Sequence, residues 1–198
     1  MLLGGLNESF SPGEAQALRE CFSVSTIEAR RCEIQQYYAT TLPPGPARLG
    51  EMIEESAFYS ESLQRISANA MLWILIVFGL VLLVVAFGVT PFVAREASHT
   101  ILRILLAVLA FTMSADVLGA LRAHRTAAKE IHEVRQRLVA ADAAGYPQAD
   151  VFLEFTNYLS AIESAPESVP YAYKLRSKHL NEKWADYQRD RDTRRASK

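Results

Sequence analysis

Asp116 is the residue of this 198-residue chain whose chemistry stands out most. It closes the string ILLAVLAFTMSAD, inside an apolar run from Ile101 to Leu121. A carboxylate at the centre of a lipid-embedded helix costs about 2.5–3.5 kcal/mol, and less towards an interface. Asp116 lies six residues before Arg122, towards one end of the run. Thr112, four residues earlier, and Gly119, three later, share its helical face. Ala115 and Ala123 extend that face as a strip of small residues. Two roles fit. Asp116 is solvated at a membrane edge or bonded to a neighbouring helix, or the Thr112/Asp116/Gly119 face lines an oligomeric pore or packs subunit against subunit.

Other reactive residue types are scattered. His124 and His132 are eight apart, and Cys21 and Cys32 are eleven apart with no CxxC or Cys/His ligand pattern. There is no GxSxG, no glycine-rich phosphate loop and no HExxH. The expectation is a protein with no catalytic residues, no metal, no cofactor and no nucleic-acid partner. A disulfide between the cysteines is not expected if their segment faces the cytosol.

The elements that must position Asp116 are two apolar runs. The first is 29 residues without a charge, between Arg65 and Arg95. Crossing a bilayer core takes roughly 20 apolar residues, so spans are expected at about 70–90 and 101–121. The pair predicts a transmembrane hairpin, with Arg103 snorkelling to an interface. Asn69, at the mouth of the first span, is a candidate to bond across the hairpin. Gly79 and Gly88 are candidates for close helix packing, without forming a GxxxG. MLLGGLNESF lacks a basic start and a long apolar stretch, so the first span is expected to serve as the insertion signal.

Charge sets the expected orientation. Arg122, Arg125, Lys129, Arg135 and Arg137 follow the second span, against Arg65 alone close before the first. The dense side should be cytoplasmic. Both termini are then inside, and only a loop around Thr90–Thr100 is outside. Residues 1–68 carry five Lys/Arg and nine Asp/Glu (net −4), and residues 120–198 carry fourteen and eleven (net +3).

Helix signals fill the flanks and predict an all-α chain. Ser11-Pro12-Gly13-Glu14 reads as a capping box, and Ser25 with Glu28 repeats it before TIEARRCEIQQYY. Leu42–Pro46 should turn the chain. From there a stripe of Leu49, Met52, Ser56, Tyr59, Leu63, Ile66 and Ala70 runs into the first span. Beyond the second span, Ala120, His124, Ala127, Ile131, Val134, Leu138 and Ala141 continue its stripe until Gly145 and Pro147. One helix is expected over Leu49–Thr90 and another over Thr100–Ala144, zipped into a cytoplasmic antiparallel stalk. A short helix from Asp150 should bury Phe152, Phe155, Leu159 and Ile162. After SAPESVP, a last helix should align Tyr173, Leu180, Trp184 and Tyr187, with a frayed tail from Arg189 to Lys198. Domain limits are thus 1–48, 49–144 and 145–198.

The C-terminal string SVPYAYKLRSKHLNEKW places Pro170 before Tyr173, Leu175, Arg176, Leu180, Asn181 and Trp184. A two-span hairpin with helical flanks followed by this segment resembles the SLATT-type two-transmembrane proteins. It is also similar to the membrane effectors of nucleotide-signalled bacterial antiphage systems such as CBASS. The resemblance covers Thr26 to Trp184. It implies a bacterial inner-membrane effector that oligomerises and permeabilises the bilayer when a nucleotide second messenger or a sensor protein acts on it. No nucleotide-binding module is recognisable in the soluble part, so helical flanks or a second protein would have to sense the signal. The alternative is a membrane-anchored helical scaffold that recruits cytosolic partners. A transporter is a distant third, because one hairpin offers few spans for an alternating-access site.

Overall fold

Proline at position 46 opens the longest helix where its missing N–H costs nothing. Gly45 supplies the preceding left-handed turn (φ 152°), and its carbonyl accepts the Leu49 N–H at 3.0 Å. The structure, a computed structural model, describes residues 1–6, 8, 11–21, 28, 31, 37–84, 87, 95–114 and 117–196. These residues are helical with no strand among them: α1 (Leu2–Leu6), α2 (Pro12–Cys21), α3 (Pro46–Leu83), α4 (Arg95–Ser114), α5 (Val117–Ala143), α6 (Gln148–Glu163) and α7 (Ala172–Ala196). The capping box that opens α2 is formed. Ser11 N–H and Oγ both donate to the Glu14 carboxylate, and Glu14 N–H donates back to Ser11 Oγ. The second box, at Ser25, lies outside the described residues, as do Cys32, Gly88, Thr90, Pro91 and Asp116.

Two compact units divide the chain, each assembled from separated segments. The first joins Met1–Phe58 to His132–Ser160, and the second joins Tyr59–Ile131 to Ala161–Lys198. In the first unit, α3 uses carboxylates to hold the strap that precedes it. Glu55 accepts the Ala39 N–H at 2.9 Å, and Glu51 accepts the Thr40 hydroxyl. Gly50 leaves room for the ring of Tyr146, which is buried and takes the left-handed φ of 55° after Gly145. Arg135 stacks 5.0 Å over the ring of Phe58. Arg137 reaches Glu133 at 3.8 Å and Glu154 at 3.7 Å.

Several buried faces differ from the sequence expectation. On α5 the expected stripe is buried from His124 to Ala141. On α3 only Leu49 and Met52 of the expected stripe are buried, while Ser56, Tyr59, Leu63, Ile66 and Ala70 are half-exposed. The buried line is Ile53, Ala57, Glu61, Gln64 and Ala68, with Ser67 beside it. It was hidden because polar side chains occupy it, each needing a partner to be buried. On α6 the buried line is Val151, Glu154, Tyr158 and Ala161 in place of Phe152, Phe155, Leu159 and Ile162. The tail expected to fray is helical to Ala196. Arg189 pairs with Asp186 one turn back, the Thr193 hydroxyl bonds the Arg189 carbonyl, and Arg191 is buried.

Candidate functional site

The second unit carries a polar clasp on α3. Gln64 and Ser67 lie one turn apart and face the segment SAPESVP, whose backbone groups lack helical partners of their own. Gln64 Nε2 donates to the Pro166 carbonyl at 3.0 Å, and Val169 N–H donates to Ser67 Oγ at 2.9 Å. Gln64 Oε1 lies 2.5 Å from Nδ1 of His124 on α5. Because the Gln64 amide N–H is committed to Pro166, its oxygen must accept, which places the His124 proton on Nδ1. His124 is 2 % exposed, and burial holds its pKa below the ordinary imidazole value.

One turn further down α3, Tyr59 meets the last helix. Its hydroxyl donates to Asn181 Oδ1 at 2.9 Å, and its ring stands edge-on to Tyr173 with centroids 6.4 Å apart. Leu180 and Trp184 are buried, and Trp184 stacks on Tyr187. Of the C-terminal string, Tyr173 and Asn181 meet Tyr59, Leu180 and Trp184 are buried, and Pro170, Leu175 and Arg176 are exposed. Tyr173 keeps about half its surface exposed, short of full packing. The contacts Ser67–Val169 and Tyr59–Asn181 fix α7 antiparallel to this part of α3.

Beside the clasp is an open cleft of about 260 Å³ lined by Ser60, Leu63, Gln64, Ile162, Ala165, Pro166, Glu167 and Ser168. Its lining holds one carboxylate and no Lys or Arg, so it lacks the cations that a phosphate group needs. Among the described residues, no group of His, Cys, Asp and Glu could hold a metal ion.

Above the clasp, α3 changes character. It is the one described helix long and apolar enough to cross a membrane. Trp73, Ile74, Ile76, Val77, Leu80, Val81 and Leu83 are all exposed. At about 100° per residue they occupy one half of the circumference. Met71, Leu72, Leu75, Phe78, Gly79 and Leu82 occupy the other half and are half-exposed. A Cβ on Gly79 would meet nothing within 4 Å among the described residues. Asn69 is exposed, and Gly119 is half-exposed on α5. Thr112 lies in the last turns of α4, and its expected neighbour Asp116 is outside the described residues.

Sequence reasoning missed Gln64 and Ser67 because it read α3 for apolar periodicity alone. The available signal was two amide- and hydroxyl-bearing residues three apart, beside a helix-free SAPESVP needing donors and acceptors. No protein-family model, curated protein or solved structure matches this chain.

Proposed function

We propose that this chain is a two-span effector of the bacterial inner membrane, with both termini cytoplasmic. It assembles into oligomers and permeabilises the bilayer when a signal reaches its soluble part. The observation that supports this reading is the contrast along α3. A segment that clasps the C-terminal linker by hydrogen bonds continues, without a break in the helix, into a segment whose apolar side chains are exposed on one half and half-exposed on the other. A soluble core helix of that length would be buried, whereas exposed Trp, Ile, Val and Leu side chains over several turns suit lipid. The half-exposed face suits a second span, drawn from α4 and the start of α5, whose Leu102, Ile104, Leu109 and Leu118 are exposed as well. The clasp is then the route by which a change at the C-terminal segment reaches the spans.

The cleft beside the clasp is without cations in its lining, so it does not itself suit a phosphate group, and a nucleotide or a partner protein would act elsewhere on the soluble part. A dye-release assay on proteoliposomes tests the function. Oligomeric protein that releases dye when given the candidate partner or nucleotide supports it. Oligomeric, partner-bound protein that never releases dye makes the chain a membrane-anchored scaffold.

A further inference from the structure

We propose that the cleft beside the clasp is a socket for Leu175 of a second copy of this chain, so that neighbouring copies in one membrane join through two unlike surfaces. This rests on the oligomeric effector reading above and deepens it by naming the surfaces that meet. Both belong to the second unit. The first is a face of α7. Tyr171, Lys174, Leu175 and Lys178 are spaced i, i+3, i+4 and i+7, the positions of one helical face. Leu175 N–H donates to the Tyr171 carbonyl at 3.0 Å, which brings Tyr171 into that ladder. Leu175 is 81 % exposed, on a helix whose buried residues are Ala172, Leu180, Trp184 and Arg191.

The cleft is the complementary surface. Leu63, Ile162, Ala165 and Pro166 give it apolar walls, and Glu167 is its charged group. A cavity of about 150 Å³ already holds a benzene ring, so about 260 Å³ takes a leucine side chain. Charge matches as well. From Ala161 to Tyr173 the chain carries Glu163 and Glu167 and no Lys or Arg. From Ser168 to Asn181 it carries Lys174, Arg176 and Lys178 and no Asp or Glu. Glu163, Glu167, Lys174 and Lys178 are all exposed. Seating Leu175 in a neighbour's cleft brings Lys174 and Lys178 to a rim that holds only acids. Opposite charges around an apolar contact select the partner and fix its register.

Depth identifies that partner as a second copy. Copies arranged around an axis normal to the bilayer stand at one height, so the surfaces that join them must lie at equal depth. Ser67 holds Val169, and Tyr59 holds Asn181. Leu175 is midway in sequence between Val169 and Asn181, so it stands between the levels of Ser67 and Tyr59 on α3. The cleft draws Ser60, Leu63 and Gln64 from that same interval of α3. Leucine and socket are therefore level. Gln64 and Pro166 line the cleft and also share the clasp hydrogen bond at 3.0 Å, so docking bears directly on the clasp.

The test uses full-length chains with Cys21→Ser and Cys32→Ser, each carrying one new cysteine and its own epitope tag. Pairs are reconstituted together in liposomes and oxidised with copper phenanthroline. Ala165→Cys with Leu175→Cys should give the mixed disulfide in several-fold higher yield than Ala165→Cys with Lys183→Cys, a control at another exposed site on α7. Glu163→Lys with Glu167→Lys in both chains should cut that yield several-fold, as should Lys174→Glu with Lys178→Glu. All four reversals together should restore it, a rescue that misfolding does not give. A yield at 183 equal to that at 175, a yield that no reversal changes, or a loss without rescue overturns the proposal. If an amine-reactive crosslinker shows oligomers of the parent chain while 165 and 175 never pair, another surface joins the copies; the socket is overturned and the effector reading stands. If that reagent finds only monomers in the membrane, the oligomeric reading falls with it. In native membranes, a crosslink from position 165 to a different protein and never to 175 gives the cleft to that partner and overturns the proposal.

Discussion

His124 and Gln64 are joined by a buried hydrogen bond, Nδ1 to Oε1 at 2.5 Å, and Gln64 passes the link on to the Pro166 carbonyl. One amide thus connects α5, α3 and the linker between α6 and α7. Replacing it by Gln64→Leu removes the partners of the His124 N–H and the Pro166 carbonyl together. Leaving a buried polar group unsatisfied costs about 1–3 kcal/mol. Thermal unfolding of the purified protein in detergent should show a clear drop in Tm, and an unchanged Tm would mean the bond contributes nothing.

The same histidine gives a pH dependence. Its folded pKa lies below the ordinary 6.5 because burial disfavours the charged ring. The unfolded chain therefore takes up a proton first as pH falls. Stability should be level above about pH 6.5 and decline below it. His124→Asn keeps an N–H for Gln64 and removes the titration. Denaturant midpoints between mildly acidic and neutral pH should slope for the parent protein and flatten at this step for the variant.

Tyr59 and Asn181 offer a separable contact. Tyr59→Phe and Asn181→Ala should each cost little, and the double variant should cost less than their sum by about 0.5–1 kcal/mol. Full additivity in a double-mutant cycle would remove Tyr59 from the docking of α7.

Two glycines on α3 make opposite predictions. At Gly50 an added Cβ would fall 2.5 Å from Tyr146 Cε1, inside a buried ring contact. Gly50→Ala should destabilise by about 1–3 kcal/mol through overpacking. At Gly79 nothing among the described residues lies within 4 Å, and Gly79→Ala should be neutral or slightly stabilising, since glycine weakens a helix interior. Parallel melting curves would expose a reversed order.

The sequence was most readable where local rules act alone. The Ser11–Glu14 box and the stripe from His124 to Ala141 follow from short-range chemistry, and the structure forms them, whereas the long helix starts at Pro46, inside the expected turn, and not at Leu49. It was least readable where burial is polar. Glu54, Glu61, Gln64 and Ser67 on α3 are buried, and a search for apolar periodicity passes over them. For Gln64 and Ser67 the partners that satisfy the buried groups, Pro166 and Val169, come from far along the chain, while Glu61 pairs with Arg65 one turn on. The discontinuous units had no local signal either, because each is closed by helices distant in sequence.

The account depends most on α3 lying in lipid above its clasp. Single cysteines at Ile74, Val77 and Leu80, in the Cys21→Ser/Cys32→Ser chain, test this with a membrane-impermeant thiol reagent in inside-out membrane vesicles, whose cytoplasmic face is turned outward. Protection at all three positions until detergent is added, with rapid labelling of a control cysteine at exposed Lys183, is the predicted result. Labelling at positions 74, 77 and 80 as fast as at 183, without detergent, would contradict the membrane reading and everything built on it.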